Sequence, residues 1–499
     1  MSVGLKYRTE MRSASISLAF HFLATLVCST SADVGSKYRA EMRSASITLA
    51  VHFLATLVCS SSAADEGSFW HVSDQHYDFS YWSDKFSCNS KVPVRGIYGD
   101  YWCDSPWKLV ADSVAAMKRI KSDVDFILWT GDNVAHIHDE HLSVDKNVEI
   151  MKNITDILKQ NFPGIKVYAT MGNHDYFPSN QYPPYNSELY NRTADLWKDW
   201  IGSEEEVNRF RTGAFYTTTA SHGIRIMALN TNMYYTADKV THPANYSDPA
   251  GQFAWMEETF TAARVDKEKV IVTGHVPPGV HNPGNLLWFY PEFNTRFNDI
   301  IVKFSDVIIG MHFGHDHADG MKIFYKDGQP VVPMFMAPSI TPWRFKIPNK
   351  VGEAHNPGIR VVTYDRTTGK HLNIIQYYMD LDASNSRNAT NWTVGYDAQR
   401  VYGISDITAK SLHGLTDKLK KTSSLMDSYV KFRWVLAKPE DRVKGCNKAC
   451  RESFFCGFKH HDMSSFNKCK EKYVGSAVKA GESCLFVLVM FIFTTYFNI

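Results

Sequence analysis

A short apolar run that ends at a glycine and a carboxylate constrains the fold of this chain more than any other feature. Residues 126–130 read Phe-Ile-Leu-Trp-Thr and are followed by Gly131 and Asp132. An apolar run of this length between turn residues favours an interior strand of an α/β sheet. Gly131 lets the backbone turn sharply, and Asp132 then lies at the carboxyl end of the strand, where open α/β sheets bind ligands. A single pair of this kind is often only a turn, so its repetition along the chain decides the interpretation.

Four further strand-like runs end in side chains that can bind metals. They end in Asp74 with His76, in Asn173 with His174 and Asp175, in His275, and in His315 with His317. Imidazole nitrogens and carboxylate or amide oxygens are ligands for zinc, manganese and iron. One such histidine is more often a core or turn residue, but chance explains five strand ends in this order poorly. The sequence therefore predicts a metal site at one edge of a sheet, while His312 is interpreted as structural.

The order of these motifs, D-x-H, GD, GNH, GH and GHxH, resembles that of the calcineurin-like metallophosphoesterases over residues 74–317. His136, four residues after Asp132, and the stretch 275–279 (His-Val-Pro-Pro-Gly) are similar to the acid sphingomyelinase branch of that superfamily. The resemblance implies an α/β fold of the metallo-dependent phosphatase type, in which a β-sandwich is flanked by helices. It also implies a metal-dependent phosphoric diester hydrolase.

The same resemblance implies two Zn²⁺ ions that share Asp132 as a bridging carboxylate. The first site would be completed by Asp74, His76 and His317, and the second by Asn173, His275 and His315. Two cations about 3.5–4 Å apart lower the pKa of a bridging water, and the resulting hydroxide attacks phosphorus.

Two further histidines match residues that do not bind metal in this family. His136 and His174 are assigned to phosphate binding and leaving-group protonation, since a protonated imidazole can do both. Asp175 is expected to orient His174. Aromatic residues that follow two of the motifs are candidates for the walls of a substrate cleft, with ordinary loop packing as the alternative. They are Tyr77, Phe79, Tyr81, Trp82, Tyr176, Phe177, Tyr182 and Tyr185.

The amino terminus contains a repeat. Residues 6–32 and 37–63 are copies that differ at four positions, and each has arginine, an apolar run and then small residues. This is the layout of a secretory signal, and the runs are short for a membrane span. We interpret residues 1–64 as a duplicated secretory signal segment, with Met42 as the real start and Asp65 as the first mature residue.

The carboxyl terminus ends in an apolar tail. Residues 484–497 are mostly apolar, and the small residues Gly475, Ser476 and Ala477 precede them with a short polar spacer. This pattern predicts a GPI-attachment signal over 475–499, whose tail is removed from the mature protein. A retained transmembrane tail is the alternative, although about 14–16 apolar residues are few for a span.

Cysteine usage is consistent with secretion. Six of the nine cysteines lie outside the two terminal segments, and such a set predicts three disulfides with fifteen possible pairings. Chain proximity and the family resemblance favour Cys88–Cys103, Cys446–Cys450 and Cys456–Cys469. A zinc site formed by the last four is the alternative. Five sequons are candidates for glycosylation, at Asn153, Asn191, Asn245, Asn388 and Asn391.

Composition and hydrophobic patterning indicate the domain organisation. A content of 44% hydrophobic residues predicts a large core. A net charge of +2 gives no reason to expect a nucleic-acid polymer as partner. Strand-like runs alternate with helical stretches over 105–120, 141–160 and 251–265, which indicates βαβ units. Later strands are predicted over 331–336, 359–364 and 372–379. The Asn/Ser/Thr-rich stretch 384–393 suggests that a catalytic domain, 65–393, is followed by a small helical, disulfide-containing subdomain, 394–474, with helix over 404–437.

These expectations describe a monomeric zinc phosphodiesterase, secreted or anchored at the extracellular face of the plasma membrane, with the lysosome as an alternative location. Its expected partners are a phosphodiester substrate, either a nucleotide or a lipid head group, and the membrane surface that the anchor reaches. No six-cysteine saposin-like block precedes Asp65, and this departure from acid sphingomyelinase places the chain with the branch that lacks one. The alternatives are a sphingomyelin phosphodiesterase that releases phosphocholine, a catalytically weak surface binding protein, and a phosphomonoesterase.

Overall fold

The computed structural model describes residues 65–83, 88, 95–281, 284–344, 346–347, 350–438 and 446–473. The segments predicted as a duplicated signal, 1–64, and as a GPI-attachment signal, 475–499, lie outside the described residues. Among the described residues, no helix combines the length and the apolar character that crossing a membrane requires.

Two six-stranded mixed sheets organise the described part of the chain. The strands are β1 (Glu66–Val72), β2 (Phe126–Trp129), β3 (Lys166–Ala169), β4 (Tyr216–Thr219), β5 (Ile224–Ala228), β6 (Lys269–Thr273), β7 (Val280–His281), β8 (Leu286–Leu287), β9 (Ile308–Phe313), β10 (Gly320–Lys326), β11 (Gln329–Met336), β12 (Lys346–Ile347), β13 (Lys350–Val351), β14 (Gly358–Asp365), β15 (His371–Met379) and β16 (Trp392–Asp397). The first sheet has the order β16–β15–β14–β1–β2–β3 and the second the order β10–β11–β9–β6–β5–β4, while β7 pairs with β8 and β12 with β13.

Twelve α-helices are described together with these sheets. They are α1 (Trp107–Ile120), α2 (Val144–Asn161), α3 (Glu188–Ile201), α4 (Glu204–Gly213), α5 (Gln252–Val265), α6 (Pro291–Lys303), α7 (Leu381–Arg387), α8 (Ala398–Tyr402), α9 (Ala409–Lys421), α10 (Ser423–Arg433), α11 (Lys448–Lys459) and α12 (Met463–Tyr473). Helix α2 begins where Ser143 Oγ accepts the Lys146 N–H, which satisfies a free amide of the first turn. Helix α1 was predicted to begin at Ser105 and Pro106 but begins at Trp107, and no side-chain hydrogen bond caps it.

The central strands are buried on both faces, as their apolar runs predict. Phe69 and Trp70 are adjacent on β1 and are both fully buried. Phe69 stacks on Phe126 of β2 at 4.7 Å, in the core that the two sheets share. Trp70 points to the opposite face, where it joins the core formed with α1 and donates its indole N–H to Lys121 O. Burying each such side chain stabilises the fold by about 1.5–3 kcal/mol.

Strand direction explains where the motifs meet. Strands β1, β2 and β3 are parallel in the first sheet, and β5, β6, β9 and β11 are parallel in the second. The carboxyl ends of parallel strands lie at the same sheet edge. The motif residues that follow β1, β2 and β3 therefore meet at one edge, facing those that follow β6 and β9.

The C-terminal helices pack on the same core as the sheets. Leu412 and Leu415 of α9 and Tyr429 of α10 share a buried cluster with Phe335 and Ile374 of the sheets. Strand β16 spans residue 393 and pairs with β15, so the first sheet continues past the predicted domain boundary. The described cysteines form the pairs Cys88–Cys103, Cys446–Cys450 and Cys456–Cys469, which is the pairing that the resemblance implies.

Lys322 of β10 makes the stability of this packing dependent on pH. Its side chain is buried, Nζ donates to Val280 O, and burial lowers the pKa of the ammonium to about 7. Because the unfolded chain binds this proton more tightly, the free energy of unfolding rises with pH between about 7 and about 10. We expect Lys322→Met to raise the melting temperature at about pH 6.5 and to do so much less at about pH 9.5. Lys326→Met, at an exposed position of the same strand, is the control, and an equal effect of Lys322→Met at both pH values would contradict the assignment.

Candidate metal centre

The seven side chains predicted as ligands converge at the facing strand ends. Their ligand atoms form overlapping groups within 4.8 Å, one of Asp74, His76 and Asp132 and another of Asp132, His275 and His315. A third group joins His76 and His317 to His136, which was not predicted as a ligand. Asp132 belongs to both groups of predicted ligands, as a bridging carboxylate must.

The backbone that carries these side chains is strained. Non-glycine residues with positive φ occur at Asp74 (53°), His76 (42°), Asp132 (56°), His315 (71°) and His317 (53°). Each costs about 1–3 kcal/mol and persists only where surrounding contacts hold it. Hydrogen bonds between neighbouring loops supply such contacts, since Asp74 N donates to Gly131 O at 2.9 Å and His76 N donates to Asp132 O at 3.0 Å.

The glycines in two of the motifs let these loops cross. Gly131 has φ 84°, and a Cβ added there would lie 2.3 Å from Gly172 N. A Cβ on Gly172 would lie 2.2 Å from Asp132 N. Only glycine fits at either position, because both contacts are with backbone atoms.

On one side of Asp132, imidazole lone pairs face the centre. His76 Nδ1 donates to Val134 O at 2.8 Å, which leaves Nε2 as the acceptor. That Nε2 lies 3.4 Å from Asp132 Oδ2 and 3.1 Å from His317 Nε2. The two Nε2 atoms are therefore close enough to bind one cation together.

On the other side, an amide oxygen joins the donor set. Asn173 Nδ2 donates to Asn180 Oδ1, so Asn173 Oδ1 faces the centre, 3.0 Å from His275 Nε2 and 2.8 Å from His315 Nδ1. His275 Nδ1 donates to Thr130 O, and His275 Nε2 lies 3.0 Å from Asp132 Oδ2. His315 Nε2 is buried and, among the described residues, has no hydrogen-bond partner.

The charges of the site match a pair of divalent cations. Burial raises the pKa of Asp74, and the nearby Asp132 carboxylate adds to this effect. Burial also acts on Asp132, but His275 and His76 outweigh it and hold the pKa of that carboxyl well below its usual range. Burial lowers the pKa of His76 to about 4 and that of His315 to about 3, so both rings are neutral with a free lone pair. Burial by itself would lower the pKa of His275, but Asp132 outweighs burial and raises it to about 9. Carboxylates, imidazoles and an amide oxygen form a donor set in which bound cations replace protons, including the proton of His275.

His136 is held beside this centre by Asp104. Asp104 Oδ2 accepts the His136 backbone N–H at 2.7 Å and lies 3.1 Å from His136 Nδ1. The ring stacks on Trp343 at 3.9 Å and on His76 at 4.1 Å. Burial by itself would lower the pKa of His136, but Asp104 outweighs burial and raises it. The sequence did not point to Asp104, because no strand leads into it.

His174 lies next to His136, with 4.4 Å between the ring centroids. Its backbone N–H donates to Asp132 Oδ1 at 2.9 Å. Its Nδ1 is buried and has no hydrogen-bond partner among the described residues. Burial lowers the pKa of this imidazole.

Comparison with known proteins identifies the family. Residues 67–319 match the family model described as calcineurin-like phosphoesterase, and residues 329–476 match the acid sphingomyelin phosphodiesterase C-terminal region. The human "Acid sphingomyelinase-like phosphodiesterase 3b" is 38% identical over 418 residues, which cover 81% of this chain and 90% of that protein. The chain belongs to the acid sphingomyelinase-like phosphodiesterase family.

Two other relatives carry names of different substrates. Human "Cyclic GMP-AMP phosphodiesterase SMPDL3A" is 34% identical over 422 residues, 82% of this chain and 91% of that protein. "Sphingomyelinase phosphodiesterase C" of Dictyostelium discoideum is 29% identical over 424 residues, 81% of this chain and 92% of that protein. As a member of this family the chain is a phosphoric diester hydrolase with a metallophosphoesterase fold, which confirms the predictions from the order of the motifs.

The matched C-terminal region begins in β11 and includes three strands of the first sheet as well as the C-terminal helices. In this acid sphingomyelinase-like phosphodiesterase, the described region from residue 329 onward therefore supplies strands of both six-stranded sheets as well as the C-terminal helices.

One predicted contact in the phosphodiesterase site is wrong. Asp175 was expected to orient His174, but among the described residues its carboxylate has no hydrogen bond to that ring. It accepts instead from the backbone N–H groups of Gly172 at 2.7 Å, Asp132 at 3.1 Å and Asn133 at 2.7 Å. The carboxylate thus joins the two crossing loops, because one of these amides belongs to the loop of Gly172 and the other two belong to the loop of Asp132. Burial and the nearby Asp132 raise the pKa of Asp175.

The aromatic residues expected to line a cleft are mostly core residues. Tyr81 and Tyr182 are buried, whereas Trp82 and Tyr185 are exposed. Aromatic rings from other loops approach the phosphodiesterase site instead. Trp343 stacks on His136, while Trp288 and Tyr235 point ring edges at His315 from 4.7 and 5.0 Å. The sequence did not indicate these three residues, because they do not follow a ligand motif.

His312, which the sequence analysis interprets as structural, lies among other buried histidines and outside the groups of candidate ligands. It is buried under the site, with Nδ1 3.2 Å from His71 Nδ1 and Nε2 3.0 Å from His371 Nε2. Burial lowers the pKa of His312, and the neighbouring histidines add to the effect.

Proposed function

We propose that this phosphodiesterase is zinc-dependent and hydrolyses water-soluble phosphodiesters at the centre described above. The convergence of seven donor side chains around Asp132 is the observation that carries the proposal. Two zinc ions, when bound, would supply positive charge for the phosphoryl oxygens and an activated water. Asp74, His76 and His317 would hold one ion and Asn173, His275 and His315 the other, with Asp132 shared.

The two remaining histidines act on the substrate. Asp104 keeps a proton on His136 Nδ1 and favours the imidazolium, which binds a phosphoryl oxygen as a charged donor. His174, adjacent to His136, protonates the oxygen of the leaving group, because the departing alkoxide is a poor leaving group without a proton. Burial lowers the pKa of its imidazole when no substrate is bound, so this role requires that the negative charge of the bound phosphodiester raise that pKa. One chain supplies all of these side chains, so the centre needs no second copy, and we propose that the enzyme acts as a monomer.

Burial of the centre favours soluble substrates over lipids in a bilayer. Asp74, His76 and His275 are fully buried and Asp132 is 1% exposed, so the scissile phosphorus must enter a deep site. The phosphate of bilayer sphingomyelin lies at the head-group level, and lifting the lipid exposes acyl chain at about 0.8 kcal/mol per CH₂. Raising about five methylenes would cost about 4 kcal/mol, which corresponds to about a thousandfold in rate.

The names of the relatives include both a nucleotide and a lipid substrate. The human relative named for cyclic GMP-AMP is 34% identical, and the Dictyostelium relative named as a sphingomyelinase is 29% identical. A sphingomyelin phosphodiesterase that releases phosphocholine is the second candidate, because the relative named as a sphingomyelinase covers a similar share of this chain.

Substrate comparison tests this proposal. We expect kcat/KM for a nucleotide phosphodiester to exceed that for sphingomyelin in detergent-free liposomes by about a hundredfold or more, as the lifting cost predicts. Sphingomyelin dispersed in detergent is the control, since it removes the cost of lifting without changing the bond that is cleaved. Equal or faster cleavage of the liposomal lipid would make the second candidate correct.

We also propose that the enzyme is secreted and held at the outer cell surface by a GPI anchor. The signal-like and tail-like segments at 1–64 and 475–499 support this, as do the three disulfides within the described residues. Asn245, Asn388 and Asn391 are exposed and suited to carry glycans, whereas Asn153 and Asn191 lie half-buried on helices.

Release from intact cells tests the anchor. We expect a phospholipase that cuts GPI anchors to release the enzyme into the medium, because the apolar tail would be absent from the mature protein. Retention after treatment, with peptides that contain Phe491 or Phe493 recovered from the mature protein, would show a membrane-spanning tail.

A further inference from the structure

Asp316 lies between the proposed ligands His315 and His317 but interacts with a different set of residues. Its side chain is 2% exposed. Oδ1 accepts from His281 Nδ1 at 2.8 Å and from Trp288 Nε1 at 2.7 Å, and Oδ2 lies 3.6 Å from Arg433 Nη2. The two hydrogen-bond donors, His281 and Trp288, lie in the segment before α6, and Arg433, which forms an ion pair with Asp316, is the last residue of α10. A buried carboxylate with this many donors anchors the loop that carries it.

Arg433 holds the same loop at a second point. Its Nη1 donates to Asp319 O at 2.8 Å, and its own carbonyl accepts from Asp319 N at 3.1 Å. The guanidinium packs against Gly320, where a Cβ would lie 2.7 Å from Nη1. The side chain is almost fully buried, with 3% of it exposed. Arg433 therefore joins the C-terminal helices to the loop 314–320 through both side chain and backbone.

Trp288 extends the arrangement to the ligand itself. Its backbone carbonyl accepts from Thr236 N at 2.7 Å, and its ring is nearly perpendicular to the His315 ring, with 4.7 Å between the centroids. Tyr235 contacts His315 from another direction at 5.0 Å. The hydrogen bond to Asp316 fixes the rotation of the indole, so the position of His315 depends on Asp316 through the backbone and through Trp288.

The loop needs this support because of its backbone conformation. His315 and His317 have φ values of 71° and 53°, and such conformations persist only where neighbouring contacts enforce them. Asp74 provides one contact, since its carboxylate accepts the His315 N–H at 3.2 Å. Asp316 lies between the two strained residues and provides the second.

We propose that Arg433 is a positioning residue for the metal centre: by holding Asp316 and Asp319, it fixes the loop that presents His315 and His317. This inference rests on the proposed zinc function. It makes the C-terminal helices part of the catalytic unit, although none of their residues belongs to the donor set. Residues outside the ligands that orient them typically change metal affinity or activity by about 10- to 100-fold.

The experiment compares Arg433→Met with Lys431→Met in the full secreted protein. Lys431 is an exposed residue of the same helix, α10. Zinc affinity is measured by chelator competition, and kcat and KM are measured at saturating zinc with a soluble phosphodiester. We expect Arg433→Met to weaken zinc binding by about 10- to 100-fold and to lower kcat with KM changed by less than about threefold. Arg433→Lys should recover only part of the loss, because one ammonium cannot both donate to the Asp319 carbonyl and pair with the Asp316 carboxylate as the guanidinium does.

A double-mutant cycle identifies the route of the effect. Asp316→Asn keeps the shape of the side chain, and as a single substitution it should weaken zinc binding. In the Arg433→Met background the same substitution should weaken zinc binding by less than about threefold further, because both changes break the same set of contacts. If Arg433→Met is not secreted, the zinc affinity of Asp316→Asn and of Trp288→Phe is measured instead. Wild-type zinc affinity in both of these variants overturns the proposal. Wild-type zinc affinity in Arg433→Met, or an equal loss in Lys431→Met, also overturns it. A wild-type protein that binds no zinc would instead contradict the proposed function.

Discussion

Asp132→Asn is expected to lower kcat/KM by about 10³-fold or more and to reduce bound zinc from two ions to one or none, since one carboxylate serves both ions. Asp132 Oδ2 lies 3.0 Å from His275 Nε2 and 3.4 Å from His76 Nε2, so it faces both groups of ligands. An asparagine keeps one oxygen but loses the negative charge and half of the bridge. The measurement combines elemental analysis of the purified variant with hydrolysis of a soluble phosphodiester.

Asp238→Asn is the matched control for that variant. Asp238 is also buried, and its Oδ1 accepts from the backbone amides of Val240 and Thr241. Burial raises the pKa of its carboxyl to about 7, so a neutral amide replaces a group that is already largely uncharged at mildly acidic pH. This variant should retain zinc and activity. If Asp132→Asn also retained two metals and its activity, the bridging role would be wrong.

His174→Ala is expected to reduce kcat by about 10²- to 10⁴-fold while both metals remain bound, because the imidazole acts on the leaving group and not on the ions. A substrate with a good leaving group, such as a nitrophenyl phosphodiester, needs little protonation of that oxygen. The variant should therefore lose much less activity on the nitrophenyl substrate than on a nucleotide phosphodiester. Comparing the two substrates isolates the proton transfer from every other effect of the substitution.

The control for this variant is His138→Ala, which changes an exposed histidine near His136 in the same histidine-rich loop. It should leave both substrates unaffected. Loss of metal from His174→Ala would show that His174 is a ligand, and equal losses on both substrates would show that it does not protonate the leaving group.

The convergence of the predicted ligands could be anticipated because each position depends on local sequence. A buried strand followed by glycine and a polar residue determines both the turn and the edge of the sheet at which the side chain lies. Asp74 and Asp132 illustrate this, since each directly follows its strand region and each adopts positive φ. The regular parallel order of the strands then brings residues more than 200 positions apart in the chain to one site.

The residues that support the ligands could not be predicted in the same way. Asp104 reaches His136 from a loop that precedes α1, and Trp343 reaches it from beyond β11. Arg433 reaches Asp316 from the end of α10. These contacts depend on how distant elements pack, and no local periodicity records them. The expected pair of Asp175 and His174 was wrong for a related reason, because adjacent residues at a tight turn point their side chains to different partners.

The boundary suggested at 393 shows how composition can be misleading. The Asn/Ser/Thr-rich stretch corresponds to α7 and the exposed turn that follows it. This turn connects β15 to β16, which are neighbours in the first sheet. A polar connection between two strands of one sheet and a linker between two domains have similar compositions. Only the pairing of the strands on either side distinguishes the two cases.

Zinc stoichiometry of the purified wild-type protein tests the central claim most directly. Elemental analysis of fully active protein, after removal of loosely bound metal, is predicted to give two zinc ions per chain. We expect this number because the two groups of predicted ligands share only the Asp132 carboxylate. Well under one metal per chain in protein that still hydrolyses a phosphodiester would contradict the account.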